Sequence, residues 1–449
     1  IHIQLIHLYC FTKTNRIRPS WHSVKPFTAQ PPSPSRGGLG WGWGLRCYAI
    51  QPIPILTFPL KGKEPDISPC AWFSRLTECH DGHTPLKVIM SKIGKLLNYA
   101  SLVRKQTGKS YLSQLAEIAH LSTGEHHLGV EEYYELEVFD DNKYPGSEKL
   151  DCIGWKASAK IDKHLNHDYW RAAANDKVLN YALLQQYGFP IPETFATFSP
   201  NKRRIGHELS INTENELEDF LLNHLKFPVF IKPIHGSYGR GTYSLTSRDA
   251  TLGCFIDVHG KKIPLADIME TCLAKQFCGV LFQECLQPHE YLQALIVITT
   301  ICVRVIVAIT NEGPKIHMAF WKIARTHNIT DNFCMGETGN LLAWVNKDSG
   351  IIERIVTGLW PSGTEVTQHP DTEQALPGKN LPDWQQAMNM CLSVAGHFPG
   401  LKLQHWDVAF CRQGPVLMEL NTEADLGIPQ FLGRTPFIDE TLKKLLAGT

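Results

Sequence analysis

The sequence predicts an α+β protein, and two observations lead there. Segments of helical apolar spacing alternate with short strand-like runs from about residue 176 onward. The chain then ends in an antiparallel hairpin, read from two apolar, alternating arms, His405 to Cys411 and Pro415 to Asn421, around the turn Arg412-Gln413-Gly414. No internal repeat is evident.

Taken in order, Ser91 to Gln106 places Ile93, Leu96, Leu97, Ala100 and Val103 at helical spacing. A helix packed on the neighbouring Tyr111 to Leu121 segment explains that face better than a membrane-surface helix. Asp176 to Tyr187 reads as a helix stopped by Gly188 and followed by Pro190 and Pro192. Thr213 and Glu216 form a capping box for a helix to about Leu225. Strands are expected at Pro228 to Lys232, Thr242 to Thr246, Val280 to Gln283, Leu295 to Thr299, Cys302 to Ile309 and Lys315 to Trp321. A helix at Trp384 to Ala395 precedes the hairpin.

The 449 residues suffice for two or three domains. Lys plus Arg and Asp plus Glu balance at 44 each, so no global field recruits nucleic acid or membrane. Thirteen cysteines without a CxxC pair suit reduced thiols and a cytoplasmic setting. The most apolar stretch, Leu292 to Thr310, carries Arg304 and is rich in Ile, Val and Thr, so successive buried strands explain it better than a membrane span. Residues 1–89 differ from the rest: they hold no methionine and no usable period. They are expected to be a disordered extension or a gene-model artefact, with translation starting near Met90.

With the hairpin turn centred on Gln413, Asp407 faces Glu419 and His405 faces Asn421. Like charges opposed at roughly 5 Å destabilise a sheet. The pair therefore calls for a compensating cation, and oxygen ligands of this kind suit Mg²⁺ bridging to phosphates. A hairpin offset by one residue, with both acids solvated, is the alternative.

Upstream, Phe227-Pro228-Val229-Phe230-Ile231-Lys232 ends a strand in a lysine, just before a loop carrying Gly236, Ser237, Gly239 and Gly241. Backbone N–H groups at such glycines can approach phosphate oxygens, and the lysine adds a point charge. A flap closing over a nucleotide fits, and an ordinary hairpin turn fits equally. Gln283-Glu284-Cys285-Leu286 follows a buried-looking strand and offers backbone groups to an adenine edge, or is simply a strand end. Arg304 within Ile301-Cys302-Val303-Arg304-Val305-Ile306 needs an anionic partner, either a carboxylate or a ligand phosphate. Gly108-Lys109-Ser110 is not a P-loop, because Val103 stands where a glycine is required. The histidines at 120, 126, 127, 164 and 167 lack the partners of a metal site.

Read together, these pieces resemble the ATP-grasp superfamily, over roughly Asn175 to Phe431. They are Asp176-Lys177, Gly188-Phe189-Pro190-Ile191-Pro192, the Lys232-Pro233 flap, Gln283-Glu284, Arg304, Asp407 and Glu419-Leu420-Asn421. The chain looks most like the sugar-transfer associated ATP-grasp proteins, which are related to alpha-L-glutamate ligases. That likeness rests on Gly129 to Tyr134, Asp331-Asn332-Phe333 with Gly336 and Gly339, His405 to Ala409, and Gly414 to Asn421. One departure is Ile301-Cys302, where an Asn-Thr pair is expected.

The resemblance implies an ATP-grasp fold of two α+β subdomains. A small helical region at 90–170 would precede a domain at 171–449, divided into a nucleotide-flap part near 190–285 and a metal and catalytic part near 286–445. It implies that Lys177 and Lys232 contact ATP phosphates, that Gly236, Ser237, Gly239 and Gly241 form the flap, and that Gln283, Glu284, Cys285 and Leu286 supply the adenine hinge. Arg304, with Lys232, would serve phosphoryl transfer. Asp407, Glu419 and Asn421 would hold one or two Mg²⁺ ions, with Mn²⁺ as a substitute. The implied activity is ATP-dependent carboxylate–amine ligation through an acyl phosphate, on a small-molecule carboxylate and an amine or sugar acceptor, in cell-surface polysaccharide or amino-acid conjugate synthesis. A small-molecule kinase on the same fold and a non-catalytic ATP-binding module are the rival expectations. Ile323 to Asn340 and His369 to Asp371 are expected to face the acceptor.

Overall fold

The computed structural model describes residues 84–448 except 124–125, 147, 204–207, 237–238 and 297–301. The expectation for 1–89 therefore falls, up to residue 83, outside the described residues. Helices open the described part: α1 (Thr84–Thr107), α2 (Tyr111–Ser122), α3 (Val130–Glu135), α4 (Trp155–Leu165), α5 (Asp168–Asn175) and α6 (Lys177–Gln186). Ser110 caps α2 by accepting from the Ser113 N–H, and Asp176 caps α6 by accepting from Leu179. On α1 the inward positions are Tyr99 and Val103, whereas Ile93 and Leu97 are exposed. The apolar face of that helix is thus narrower than its spacing implies.

Two sheets follow. The first has seven strands in the order β2-β1-β7-β3-β4-β5-β6. They span β1 (Thr194–Phe198), β2 (Leu209–Ile211), β3 (Val229–Pro233), β4 (Tyr243–Asp249), β5 (Cys254–Asp257), β6 (Lys262–Pro264) and β7 (Val280–Glu284). The Thr213–Glu216 capping box is present and starts a helix, α7 (Glu214–Asp219), which continues as a wider turn over Phe220–His224. This helix and α8 (Leu265–Leu273) pack on the sheet around Phe255, Ile268 and Phe282.

The second sheet runs β11-β10-β9-β8-β12-β13. Its strands are β8 (Cys302–Thr310), β9 (Gly313–Ile323), β10 (Leu341–Val345), β11 (Ile352–Val356), β12 (Leu403–Cys411) and β13 (Gly414–Asn421). The strand expected at Leu295 to Thr299 is not formed over its described part: α9 (Glu290–Ile296) runs through Ile296, and the remainder lies outside the described residues. The reason is spacing, since Leu292, Leu295 and Ile296 share one helix face and all three are buried.

Alternation along β8 decides where the site lies. Val303, Val305 and Val307 enter a core with α10 (Trp384–Ala395) on one face of the sheet. Ile306 and Ala308 enter a second core on the other face, with α1 to α4 and the C-terminal helices α11 (Gly427–Gly433) and α12 (Glu440–Leu446). Arg304 belongs to that second face, one step beyond Ile306, where the apolar cover ends.

Candidate active site

The hairpin pairs Asp407 with Glu419 and His405 with Asn421, the register expected. Its turn differs. Cys411 pairs with Gly414, so Arg412-Gln413 is a two-residue loop rather than a turn centred on Gln413. A bulge then adds Met418 to β13, because Val408 pairs with Leu417 while Asp407 pairs with Glu419. The bulge restores the facing of the acids that the shorter turn alone would have shifted by one residue.

The compensating charge comes from the protein itself. β8 pairs with β12 so that Arg304 stands opposite Asp407. The Arg304 Nε donates to Asp407 Oδ1 at 2.7 Å and its Nη2 to Oδ2 at 2.8 Å, a bidentate pair. Lys322 of β9 donates to the same Oδ2 at 3.0 Å, and Lys177 Nζ lies 3.1 Å from Glu419 Oε1. Burial alone would raise the Asp407 carboxyl; the Arg304 and Lys322 charges outweigh it and hold it well below the usual carboxylate range. Burial would likewise lower Lys322, yet Asp331 and Asp407 keep its pKa raised.

Opposite the hairpin stand Lys177 and Lys232, both buried. Lys177, the first residue of α6, also donates to the Gly236 carbonyl at 3.0 Å, tying the helix start to the flap. Lys232 donates to the Tyr181 hydroxyl, which donates in turn to the Met418 carbonyl at 2.6 Å beside the bulge. Burial pushes the Lys232 ammonium down to about 8 against the pull of Glu419 and Asp407.

The flap joins β3 to β4. Gly239 and Gly241 hold φ of +67° and +73°, and a Cβ on Gly239 would come within 2.7 Å of Asn332 Nδ2. The flap tip therefore rests on the 330–332 segment. Ser237 lies outside the described residues. At the expected hinge, Gln283 is buried and donates to Thr194 Oγ1 at 3.0 Å. The Glu284 carboxylate accepts from the Glu193 N–H at 2.8 Å, Cys285 Sγ lies 3.9 Å from Ser244 Oγ beneath the flap, and Leu286 packs with Met418 beside the hairpin. The structure thus gathers Lys177, Lys232, Arg304, Asp407, Glu419 and Asn421 around one hairpin, with the flap and hinge on its borders.

One member, Lys322, was missed in the sequence, and Asp331 was singled out there only as part of a family-like motif, without a role. Lys322 is buried among apolar residues, the same signal that singled out Arg304, but it lies one residue past the expected end of its strand. Asp331 is buried with Oδ1 3.6 Å from Lys322 Nζ, while its Oδ2 has no hydrogen-bond partner. Burial raises its carboxyl against the pull of Lys322. His405, on the same face, has burial and Arg304 pushing it down to about 3, so it is neutral. Lys109 is held by Glu117 at 2.8 Å and by the Phe139 carbonyl at 2.7 Å, far from any phosphate role.

Asn421 Nδ2 faces Asp407 Oδ2 at 3.4 Å, which leaves its amide oxygen free to turn outward. Asp407, Glu419 and Asn421 then present only oxygen donors, the hard ligands Mg²⁺ takes. No cluster of three His, Cys, Asp or Glu side chains stands ready for a metal among the described residues. Such a set fits an ion that draws its remaining ligands from phosphate and water.

The profile of the sugar-transfer associated ATP-grasp family matches residues 156–444. The chain belongs to that family. Its two sheets and their helices are accordingly an ATP-grasp fold. Similar solved structures include VanG D-Ala:D-Ser ligase from Enterococcus faecalis, at 13% identity over 63% of this chain and 64% of that one, TM-score 0.35. D-alanyl-alanine synthetase A from Vibrio cholerae shares 12% identity over 63% and 67% of the two chains, TM-score 0.38. These likenesses are remote, and the family assignment rests on the profile match. No curated protein matches the chain.

Proposed function

We propose that this ATP-grasp protein is an ATP- and Mg²⁺-dependent carboxylate–amine ligase that works through an acyl phosphate. The observation that carries the reading is the facing of Asp407 and Glu419 beside Arg304, with Lys177 and Lys232 across from them. The acids already have partners in Arg304, Lys322 and Lys177. The surplus positive charge of the four cations suits a polyphosphate, and the acids would hold a divalent ion only once that polyphosphate is in place. Mg²⁺, when bound by Asp407, Glu419 and Asn421, neutralises charge on the phosphate oxygens.

Lys177 and Lys232 orient the phosphates, and the flap from Gly236 to Gly241 covers them and excludes water. Arg304, fixed in place by Asp407, directs its remaining Nη1 toward the transferring phosphoryl group. The substrate carboxylate attacks the γ-phosphorus and ADP leaves; the amine then attacks the acyl carbon, losing a proton as phosphate departs. Phosphoryl transfer needs mainly positioning and charge neutralisation, which is what these groups offer. The substrates are proposed to be a small-molecule carboxylate and an amine or sugar-borne amine, in polysaccharide or conjugate synthesis. A cytoplasmic setting accords with the nine described cysteines, all free.

Glu419→Gln tests the reading. Turnover should vanish while the circular dichroism spectrum and the melting midpoint stay near those of the parent protein. Retained Mg²⁺-dependent turnover would overturn the metal assignment.

A further inference from the structure

β13 is an edge strand of the second sheet, so one row of its backbone groups has no strand to pair with. Three successive residues of that strand are held instead by α6 and the loop that ends it. The Leu417 N–H donates to the Pro190 carbonyl at 2.9 Å, the Met418 carbonyl accepts from the Tyr181 hydroxyl at 2.6 Å, and Glu419 Oε1 lies 3.1 Å from Lys177 Nζ. Lys177 and Tyr181 are one helical turn apart, which sets both on one face of α6. The helix then closes through the Gly188 and Phe189 N–H groups, which donate to the Gln185 and Leu184 carbonyls at 3.0 Å each. Pro190 is thereby tied to the same element.

The residue that Tyr181 holds decides the register. Met418 is the extra residue of the bulge, and such a residue leaves the ladder locally unpaired. If β13 ran on from Leu417 without it, Asp407 would pair with Met418, and Glu419 would pair with Trp406, which is buried in the core on the other face of the sheet. The facing acids therefore depend on a bulge that cross-strand hydrogen bonds alone do not favour. Tyr181 is buried, and its hydroxyl is used twice: it donates to the Met418 carbonyl and accepts from the Lys232 ammonium. That ammonium also lies 4.8 Å from the centre of the Tyr181 ring. A charged donor on the phenol oxygen polarises its O–H and strengthens the bond to the carbonyl.

We propose that Tyr181 is a positioning residue: its hydroxyl, oriented by Lys232, holds the bulge that keeps Asp407 and Glu419 facing. The consequence for metal and nucleotide rests on the ligase reading; the register does not.

The test compares Tyr181→Phe with the parent full chain in two measurements. Hydrogen exchange read by mass spectrometry should show residues 414–421 exchanging about tenfold faster in the variant, with α10 and the first sheet unchanged. Calorimetric titration of ADP should give nearly the parent affinity in EDTA and an affinity about tenfold weaker with Mg²⁺, because the phosphate lysine survives while the metal pair is disturbed. Tyr181→4-aminophenylalanine, which returns an N–H donor to the Met418 carbonyl, should restore both. Unchanged hairpin exchange, or faster exchange spread over the whole chain, would overturn the positioning role. Equal losses of ADP affinity with and without Mg²⁺ would overturn it too, since Tyr181 would then act through Lys232 alone. A parent chain that binds no ADP, with hairpin exchange still accelerated in Tyr181→Phe, would support the register role and overturn the ligase reading instead.

Discussion

Asp407 and Asp331 flank the same lysine, yet the structure assigns them opposite energetic roles, and paired isosteric substitutions separate them. Asp407 accepts two hydrogen bonds from Arg304 and one from Lys322. Asp407→Asn removes the charge and sets an amide N–H₂ against one of those donors, leaving a buried guanidinium and ammonium short of an anion. Breaking a buried ion pair in this way costs about 3–5 kcal/mol. Asp331 has one oxygen without a partner and sits 3.6 Å from Lys322, so its charge is poorly compensated. Asp331→Asn keeps the shape and relieves that desolvation, and the change should stay within about 1 kcal/mol. The assay is urea unfolding of the full chain, followed by tryptophan fluorescence and circular dichroism together, because coincident curves are needed before free energies are compared. Equal losses for the two variants, or an Asp407→Asn loss below about 1 kcal/mol, would refute the charge assignment.

Two further outcomes follow from the flap and its lysine. Lys232 is held near 8, so nucleotide affinity should fall as pH rises past that value, by up to about tenfold per pH unit for one proton taken up on binding. The depressed value also means that stability from this group rises between about pH 8 and its unfolded value, opposite to the binding trend. Calorimetric titration of MgADP from pH 7 upward checks the first trend, and a flat profile, or one unchanged in Lys232→Met, would contradict it. Gly239→Ala forces a Cβ to within 2.7 Å of Asn332 at φ +67°. The flap should then seat poorly, weakening nucleotide binding by about 1–2 kcal/mol with little loss of melting temperature. Unchanged affinity would show that the flap tip does not rest on the 330–332 segment when nucleotide is bound.

Much of the site was legible because its signals are local. Alternation along its arms made the hairpin legible, the assumed turn centre at Gln413 set Asp407 facing Glu419, and an arginine inside an apolar strand announced a partner, which proved to be Asp407. The turn was misread by one residue, and the bulge at Met418 compensated, so a correct pairing stood on an incorrect turn. Leu295 to Thr299 misled because its β-branched residues read as strand, while Leu292, Leu295 and Ile296 satisfy a helix face. Lys322 escaped, and Asp331 stood out only as part of a family-like motif without a role, because their meaning lies in contacts between a strand end and a loop, and no local period records such contacts. Strand β10, Leu341–Val345, is apolar throughout and buried on both faces, so it carries no alternation to read.

Acyl phosphate chemistry at this hairpin would carry a carboxylate oxygen into the released phosphate, and isotope transfer detects it. Pooled carboxylates and amines are first screened with the full chain for ADP release, and the active carboxylate is then supplied with ¹⁸O. Amide formation should place ¹⁸O from the carboxylate in the released phosphate. A phosphorylated acceptor with no amide, or phosphate free of label, would contradict it.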